Sequence, residues 1–198
     1  MTKIKICGLT RPEDIEAVNQ YKPDYIGFVF AKNSRRFINA KQAADLKKQL
    51  LDDIMAVGVF VNEAKEVIAD LLIHDIIDAA QLHGNETESE IRWIKTRTGK
   101  QVIKAVSVQS RSDPVRWSGS QADYLLFDHG AGGTGKAFDW NLITDCGKPF
   151  FLAGGINIQN LSMALSKGAY GIDISGGVET DGKKDPKKIA AVIEAVRR

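Results

Sequence analysis

Short runs of apolar residues recur along the whole chain, and polar or helix-patterned segments separate them. Eight of these runs have the length and continuity of buried strands. They cover residues 3–7, 25–30, 54–60, 77–83, 101–106, 123–127, 149–153 and 171–175. Strands that are apolar throughout are typical of a parallel sheet whose two faces are both covered.

Segments in which apolar residues recur about every 3.6 positions lie between most of these strands and predict helices. They cover residues 12–21, 40–51, 64–73, 88–98, 158–167 and 186–196. Residues 109–122, between the fifth and sixth strands, contain Ser, Pro and Gly with little apolar periodicity. The fifth helix is therefore expected to be short or missing.

The alternation of strands and helices predicts an α/β fold with a parallel sheet, and eight strands are the number that closes into a (β/α)8 or TIM barrel. An open doubly wound sheet is the competing architecture. The first strand is followed by Cys7-Gly8-Leu9-Thr10 rather than by a G-x-G-x-x-G motif, which disfavours that architecture. No linker or change of composition divides the chain, so we expect a single compact barrel domain over residues 1–198.

Composition and charge limit the classes of partner. The chain is 43% apolar and 26% charged, as in ordinary globular proteins. Its 27 Lys and Arg residues are interleaved with 25 Asp and Glu residues, for a net charge of +2. This balance argues against nucleic acid as a partner and leaves small anions possible. No apolar run approaches the ~18 residues of a membrane span, so no membrane partner is expected.

Cysteine usage and the first residues predict a cytoplasmic protein. Cys7 and Cys146 form no metal-binding or disulfide pattern, and no hydrophobic signal region precedes the first strand. The three histidines, His74, His83 and His129, also lack the spacing of metal ligands. We therefore predict no metal, and we expect His83 to be a hydrogen-bonded structural residue.

The carboxyl ends of the predicted strands hold most of the reactive residues and glycines. Catalytic groups of a (β/α)8 barrel lie at these ends and in the loops that follow. Six of the eight ends carry such residues, namely Cys7-Gly8, Ser34-Arg35-Arg36, Gln81-Leu82-His83-Gly84, Asp128, Gly154-Gly155 and Ser175-Gly176-Gly177. This concentration is the strongest functional signal in the sequence.

The glycine pairs after the seventh and eighth strands predict a phosphate site. This fold commonly binds phosphate in the loops after those two strands. Glycine allows backbone N–H groups to approach an anion closely, and a following helix N-terminus adds positive potential. Gly154-Gly155 and Ser175-Gly176-Gly177 would form such a cradle, although tight turns alone also require glycine.

Cys7 and Asp128 are the candidate base and acid. A lone cysteine is usually a small buried hydrophobe, but its place at the barrel mouth also fits a reactive thiolate. Such a thiolate would need a pKa lowered by neighbouring positive charge. Asp128 ends an apolar run, where a desolvated carboxylate can keep its proton and act as an acid. Its alternative role is to bond the glycine-rich loop that follows.

Two further inferences concern charged side chains near the mouth. Arg36 lies in a loop able to fold over the mouth, and arginine binds carboxylates and phosphates through paired hydrogen bonds. A solvated surface position is its other possibility. Period-two alternation places Lys5 one layer below Cys7 and Asp173 one layer below Ser175. Since strands one and eight adjoin in a closed barrel, we hypothesise that Lys5 and Asp173 form a buried, hydrogen-bonded pair.

A set of motifs runs in order from residue 5 to Glu179. It comprises Lys5-Ile6-Cys7-Gly8-Leu9-Thr10, Gly27-Phe28-Val29-Phe30, Ser34-Arg35-Arg36, Val57-Gly58-Val59-Phe60, Gln81-Leu82-His83-Gly84, Asp128, Gly132-Gly133-Thr134-Gly135, Phe138-Asp139-Trp140, Gly154-Gly155-Ile156 and Gly171-Ile172-Asp173-Ile174-Ser175. Taken together, the motifs resemble those of the phosphoribosylanthranilate isomerase family of tryptophan biosynthesis.

The resemblance implies an Amadori rearrangement of N-(5-phosphoribosyl)anthranilate to 1-(2-carboxyphenylamino)-1-deoxyribulose 5-phosphate, without cofactor or metal. It implies that Asp128 is the general acid that opens the ribose ring and that Cys7 is the general base that takes the C2′ proton. Arg36 would hold the anthranilate carboxylate. Backbone groups of Gly154-Gly155 and of the loop after strand eight, Ser175-Gly176-Gly177, would hold the phosphate of this small substrate.

One departure from the family concerns that second loop. The family commonly has a second serine after Ser175, and Gly176 stands there instead. One hydroxyl contact to phosphate is therefore missing, whereas a backbone N–H remains. Phosphate affinity is the property that this difference affects.

Three alternatives remain open at the level of sequence. A histidine-pathway isomerase of the same fold typically uses two aspartates, where strand one here offers Cys7. A Schiff-base lyase or aldolase would use Lys104 on strand five as its amine. A noncatalytic anion-binding module would need neither Cys7 nor Asp128. Whether the protein is a monomer or a homodimer is undetermined.

Overall fold

The computed structural model describes residues 1–129 and 139–198, and a closed barrel of eight parallel strands occupies its centre. The strands are β1 (Lys3–Cys7), β2 (Tyr25–Val29), β3 (Met55–Phe60), β4 (Ala79–Leu82), β5 (Gln101–Ser107), β6 (Tyr124–Asp128), β7 (Phe150–Leu152) and β8 (Gly171–Ile174). They follow chain order around the barrel, and β8 pairs with β1 to close it. The predicted (β/α)8 barrel is confirmed, with a strand at each of the eight predicted places.

Seven helices surround the strands in the described ranges. They are α1 (Pro12–Tyr21), α2 (Ala40–Lys47), α3 (Lys65–Ile73), α4 (Glu88–Thr98), α5 (Ser112–Arg116), α6 (Leu161–Leu165) and α7 (Pro186–Arg197). The fifth helix is short, as predicted, with five residues. Single 3-10 turns lie at Trp140–Leu142 and Gly176–Val178, and Glu179–Thr180 (β9) pairs with Lys183–Lys184 (β10) in a small hairpin.

Helix α6 begins later than the helical periodicity predicts. The sequence predicts a helix from residue 158, whereas α6 begins at Leu161. The amide oxygen of Asn160 accepts a hydrogen bond from the Asn157 N–H (2.8 Å), and both side-chain amides donate to the carbonyl of Gly155. These bonds hold residues 155–160 as an ordered loop, because Asn side chains compete with the helical pattern for backbone partners.

Alternate strand residues point into the barrel or toward the helices. The interior holds a small apolar cluster of Tyr25, Val57, Ala79, Ile103, Ala105, Leu126, Phe151 and Ala153. A larger cluster fills the space between the barrel and the helices. At the amino ends of the strands, the hydroxyl groups of Tyr25 and Tyr170 are 2.9 Å apart. The candidate catalytic residues, Cys7 and Asp128, lie at the opposite, carboxyl ends of the strands.

The hypothesised pair of Lys5 and Asp173 is confirmed. The two residues are partners in the β1–β8 register, and Lys5 Nζ donates to Asp173 Oδ1 at 2.9 Å. The Lys5 side chain is fully buried, and that of Asp173 is 9% exposed. Burial by itself lowers the pKa of Lys5, but the charges of Asp173 and Cys7 raise it above its ordinary value. Lys5 is therefore a buried cation directly below the barrel mouth.

Candidate active site

Cys7 and Asp128 lie at the carboxyl ends of β1 and β6, with β7 and β8 between them on the shorter path around the barrel. Each residue is 8% exposed. Strand alternation directs both side chains to the interior, as it does for Lys5 below Cys7. The two groups therefore approach the barrel mouth from different sides.

The neighbourhood of the Cys7 thiol depends on a glycine in the adjacent strand. Cys7 pairs with Gly27 of β2, and a Cβ at Gly27 would lie 2.6 Å from Cys7 Sγ. Any larger residue at this position would displace the sulfur. The motif around Gly27 therefore preserves the space that the thiol occupies.

The electrostatics of Cys7 differ from the sequence-based expectation. Burial raises the pKa of the Cys7 thiol, the charges of Lys5 and Lys184 lower it, and Asp173 raises it further. The net direction is upward, so the expectation of a lowered pKa is wrong. Desolvation of a thiolate at this depth outweighs the two neighbouring ammonium groups. The neutral thiol consequently predominates at neutral pH.

One carboxylate oxygen of Asp128 is hydrogen-bonded, and the other lies near His83. Oδ1 accepts the backbone N–H of His129 at 2.7 Å, and Oδ2 lies 3.4 Å from Nε2 of His83. The other ring nitrogen of His83, Nδ1, lies 2.8 Å from Nε2 of Gln81. His83 is thus hydrogen-bonded, as expected, but its neighbour is the candidate acid. Gln81 was not selected as a functional residue, although alternation along strand four places it below His83.

Arg36 is folded over the barrel mouth rather than solvated. Its side chain is 11% exposed, and its Nε and Nη2 donate to the two carboxylate oxygens of Glu179 at 2.7 and 2.9 Å. The aliphatic part of Arg36 lies over Gly8, where a Cβ would be 2.3 Å from Arg36 Cδ. No group within the described ranges accepts a hydrogen bond from Nη1. This edge of the guanidinium is available to a second carboxylate.

Glu179 and Lys184 are charged residues of the site that the sequence analysis missed. Lys184 Nζ donates to Glu179 Oε1 at 2.7 Å and to the carbonyl of Ser175 at 3.1 Å. Burial raises the pKa of Glu179, but hydrogen bonds from Arg36 and Lys184 bring it below its usual value. Burial lowers the pKa of Lys184. The β9–β10 hairpin places both residues here, and no periodic pattern in the sequence indicates that hairpin.

Gly154 and Gly155 form the loop after β7. They have φ values of 85° and 66°, in the left-handed region that favours glycine. The side chains of Asn157 and Asn160 fix the loop through the carbonyl of Gly155. In the part of the chain that the structure describes, neither glycine N–H donates to another protein group. Two backbone donors are therefore available to an anion.

The loop after β8 packs directly on the loop after β7. A Cβ at Gly177 would lie 2.0 Å from the carbonyl oxygen of Ile156, so only glycine permits this approach. The hydroxyl of Ser175 donates to the carbonyl of Cys7 at 2.9 Å, which joins the ends of β8 and β1. Among the described residues, the N–H groups of Gly176 and Gly177 have no protein acceptor. The two glycine pairs that the sequence analysis proposed as a phosphate site therefore lie in loops that contact each other.

Lys104 does not reach the barrel mouth. It points outward between β5 and the helices, where it is 1% exposed. Its ammonium donates to the carbonyls of Gly84 (2.7 Å) and Leu82 (3.2 Å) and to Glu86 Oε2 (2.9 Å). All three donors are committed, so the amine is neither free nor placed for a Schiff base. The alternative of a lyase or aldolase that uses Lys104 is wrong.

Some sequence features cannot be placed. Gly132-Gly133-Thr134-Gly135 and Phe138 lie outside the described residues. Over residues 1–129 and 139–198, no group of three or more His, Cys, Asp or Glu side chains could hold a metal ion. None of the helices in those ranges is both long and apolar enough to cross a membrane.

A family model, related sequences and solved structures all indicate the same family for this chain. The family model described as N-(5'phosphoribosyl)anthranilate (PRA) isomerase matches residues 4–195. N-(5'-phosphoribosyl)anthranilate isomerase of Endomicrobium trichonymphae is 46% identical, over 100% of this chain and 99% of that protein. The crystal structure of phosphoribosyl anthranilate isomerase from Thermotoga maritima superposes with a TM-score of 0.91 at 35% identity, covering 100% of this chain and 99% of that one.

A second solved structure contains a ligand. It is a phosphoribosyl anthranilate isomerase in complex with reduced 1-(o-carboxyphenylamino)-1-deoxyribulose 5-phosphate. Its TM-score to this chain is 0.88 at 35% identity, and the match covers 100% of this chain and 99% of that one.

Proposed function

This chain belongs to the N-(5'-phosphoribosyl)anthranilate isomerase family, and we propose that its barrel mouth converts N-(5-phosphoribosyl)anthranilate to 1-(2-carboxyphenylamino)-1-deoxyribulose 5-phosphate by acid–base catalysis. The protein is an isomerase of tryptophan biosynthesis. The observation that carries the assignment of catalytic groups is the position of Cys7 and Asp128, buried at the ends of two strands on different sides of the mouth. An acid and a base so placed can act on opposite faces of one sugar.

Asp128 is the general acid of the first step. Its carboxyl group protonates the ribose ring oxygen as the bond from that oxygen to C1′ breaks, and the nitrogen lone pair forms the C=N bond of a Schiff base. The N–H of His129 and the Nε2 of His83 face the oxygens that receive the resulting negative charge. Hydrogen bonds to the ionised form of a carboxylate stabilise it, so proton transfer to the substrate is favoured.

Cys7 is the general base of the second step. Its thiolate takes the proton from C2′, the C–H electron pair forms the C1′–C2′ double bond, and the C=N electrons return to nitrogen. The enolamine then tautomerises to the ketone. A thiolate with a raised pKa is scarcer at neutral pH but is a stronger base, which suits abstraction from carbon. Lys5, directly below, stabilises the thiolate charge.

Two groups of donors bind the charged ends of the substrate. Arg36 receives the anthranilate carboxylate on the guanidinium edge that carries Nη1, while Glu179 holds the opposite edge. The free N–H groups of Gly154, Gly155, Gly176 and Gly177 bind the phosphate. Because the two loops are in contact, these donors can converge on one anion. The single barrel domain, residues 1–198, then contains the whole site.

The same chemistry supports the proposal of a cytoplasmic location. The proposed base must remain a reduced thiol, and both Cys7 and Cys146 are free in the structure. Disulfides and oxidised thiols are rare in reducing compartments. A small phosphorylated substrate and a free catalytic cysteine are therefore compatible there.

The assay follows the fluorescence of freshly generated phosphoribosylanthranilate as it is consumed. We expect Cys7→Ser and Asp128→Asn each to lower turnover by at least ~10²-fold, since a general acid or base contributes ~10²–10⁴-fold. Cys146→Ser is the matched control, because Cys146 is buried just before the amino end of β7 and its Sγ–H donates to the Lys148 carbonyl at 3.5 Å. Circular dichroism checks the fold of each variant. Near-normal turnover in either catalytic variant would refute its assigned role.

Arg36 requires a separate measurement. Arg36→Met should weaken the binding of an anthranilate-bearing ligand more than it lowers kcat, because its guanidinium binds rather than transfers protons. Arg92→Met is the matched control, since Arg92 is an exposed residue of α4. Unchanged affinity after Arg36→Met contradicts the assignment.

A further inference from the structure

Gln81, His83 and Asp128 form a connected row of side chains from the barrel interior to its mouth. Gln81 is 1% exposed, and its Nε2 lies 2.8 Å from His83 Nδ1. His83 Nε2 lies 3.4 Å from Asp128 Oδ2. We propose that Gln81 is a positioning residue that holds His83 in its neutral Nε2–H tautomer and thereby keeps Asp128 competent as an acid; this inference rests on the proposed role of Asp128.

The chemistry of the amide nitrogen determines the tautomer. An amide NH2 group only donates hydrogen bonds, so the ring nitrogen that faces it must be the acceptor. Nδ1 of His83 is then unprotonated, and the ring proton of the neutral imidazole lies on Nε2. His83 Nε2 lies 3.4 Å from Asp128 Oδ2, so that proton is close to the carboxylate. The proposal therefore requires that the Gln81 amide donates to Nδ1 of His83.

The charge state of His83 decides what Asp128 can do. An imidazolium at this distance would form an ion pair with Asp128 and favour its ionised form, which has no proton to give. Adding a proton to Nδ1 would set it against the amide hydrogens of Gln81, so the amide opposes that state. A neutral His83 leaves Asp128 able to carry its proton and still offers Nε2–H to the carboxylate after transfer.

The amide oxygen of Gln81, Oε1, also supports a positioning role for this residue. Oε1 of Gln81 is buried and has no hydrogen-bond partner among residues 1–129 and 139–198. An apolar residue of similar volume would fill this place without burying an unpaired oxygen. The favourable contribution of the amide therefore lies in its bond to His83.

The spectroscopic test measures the His83 tautomer directly. Long-range ¹H–¹⁵N NMR distinguishes protonated from unprotonated ring nitrogens, and His74→Gln simplifies assignment among the three imidazoles. In the wild-type protein at neutral pH we expect an unprotonated Nδ1 and a protonated Nε2. A protonated Nδ1, in the neutral or the cationic ring, would overturn the proposal. In Gln81→Leu we expect the two tautomers to become mixed.

The kinetic test compares two substitutions at the same position. Gln81→Leu removes the hydrogen bond that selects the His83 tautomer. We expect its kcat to fall ~10-fold with KM unchanged, a smaller loss than the ~10²-fold loss expected for Asp128→Asn. Gln81→Glu, of the same shape, would accept a hydrogen bond from a protonated Nδ1 and stabilise the wrong state, so its kcat should fall below that of Gln81→Leu. The exposed Gln20→Leu is the control for the substitution itself.

The outcomes separate this inference from the proposed function. If Asp128→Asn retains turnover, the proposed function fails, whereas the tautomer measurement still tests the hydrogen bond between Gln81 and His83. If Asp128→Asn loses turnover but Gln81→Leu keeps both the wild-type tautomer and kcat, the role of Gln81 is overturned and the proposed function stands. Should Gln81→Glu fail to fold because of its buried charge, Gln81→Leu alone decides between these results.

Discussion

The pair formed by Lys5 and Asp173 stabilises the barrel, and Lys5 favours the thiolate form of Cys7. Lys5 is fully buried and Asp173 nearly so, at a separation of 2.9 Å. At an effective dielectric constant of ~20, two unit charges at that distance attract by ~6 kcal/mol before desolvation is subtracted. Lys5→Met removes the attraction and leaves Asp173 as an uncompensated buried charge. We expect the free energy of unfolding to fall by ~3–5 kcal/mol.

The double variant Lys5→Met with Asp173→Leu distinguishes the pair from simple packing. Replacing both partners by apolar residues removes the unpaired charge, so most of the lost stability should return. Urea unfolding followed by circular dichroism measures all three proteins at neutral pH. Because the pKa of Lys5 is raised, its contribution to stability is complete at neutral pH and is lost only in strongly alkaline solution. A single variant within ~1 kcal/mol of wild type, or a double variant no more stable than the single, would refute this reasoning.

The double variant also isolates the effect of Lys5 on Cys7. Lys5 lowers the pKa of the thiol and Asp173 raises it, and the effect of Lys5 is the larger. Without both charges the pKa of Cys7 should therefore rise further, although the fold is restored. The pH dependence of iodoacetamide reaction, measured in a Cys146→Ser background, reports thiolate formation. A thiol that ionises at the wild-type pH in the double variant contradicts the assigned influence of Lys5.

Three further predictions concern the mouth. Since the pKa of Cys7 is raised, wild-type kcat/KM should increase with pH above neutrality as the thiolate forms, and a flat alkaline profile would count against Cys7 as base. Glu179→Gln should raise KM several-fold with a smaller change in kcat, because Arg36 loses its charged partner; calorimetry with an anthranilate-bearing product analogue checks this, and unchanged affinity contradicts it. Gly176→Ser should lower the inhibition constant of inorganic phosphate, because it adds a hydroxyl and its Cβ would meet, among the described residues, only Arg36 Nη2, at 3.6 Å. Gly177→Ala should weaken phosphate binding or destabilise the fold, because its Cβ would lie 2.0 Å from the Ile156 carbonyl oxygen; equal phosphate inhibition of the two variants would contradict this.

The predictions that the structure confirms depend on patterns of short range. Strand positions follow from apolar runs of five to seven residues, and the inward or outward direction of a side chain follows from alternation within one strand. The pairing of Lys5 with Asp173 could be predicted from sequence for two reasons. Barrel closure makes β1 and β8 neighbours, and alternation places both side chains in the barrel interior one layer below the mouth. The same alternation places Gln81 below His83, so that row could have been found too.

The features that were missed or wrong depend on contacts between distant segments. Glu179 meets Arg36 across 143 positions of the chain, through a hairpin of two-residue strands that has no periodic signal. Helix α6 was predicted too long because two asparagine side chains bind the preceding loop instead. Lys104 was a plausible amine until its outward direction and its bond to Glu86 were known.

By itself, the sequence determined the eight-stranded barrel, the strand ends at which the candidate catalytic residues lie, the buried pair of charges, and the family to which the motifs belong. Each of these follows from local periodicity, from closure of the sheet or from the order of motifs. Only the tertiary structure decided the sign of the Cys7 pKa shift, the partner of Arg36 and the row that leads from Gln81 to Asp128. Desolvation and charge interactions depend on depth and distance in three dimensions, and residues far apart in the chain set both.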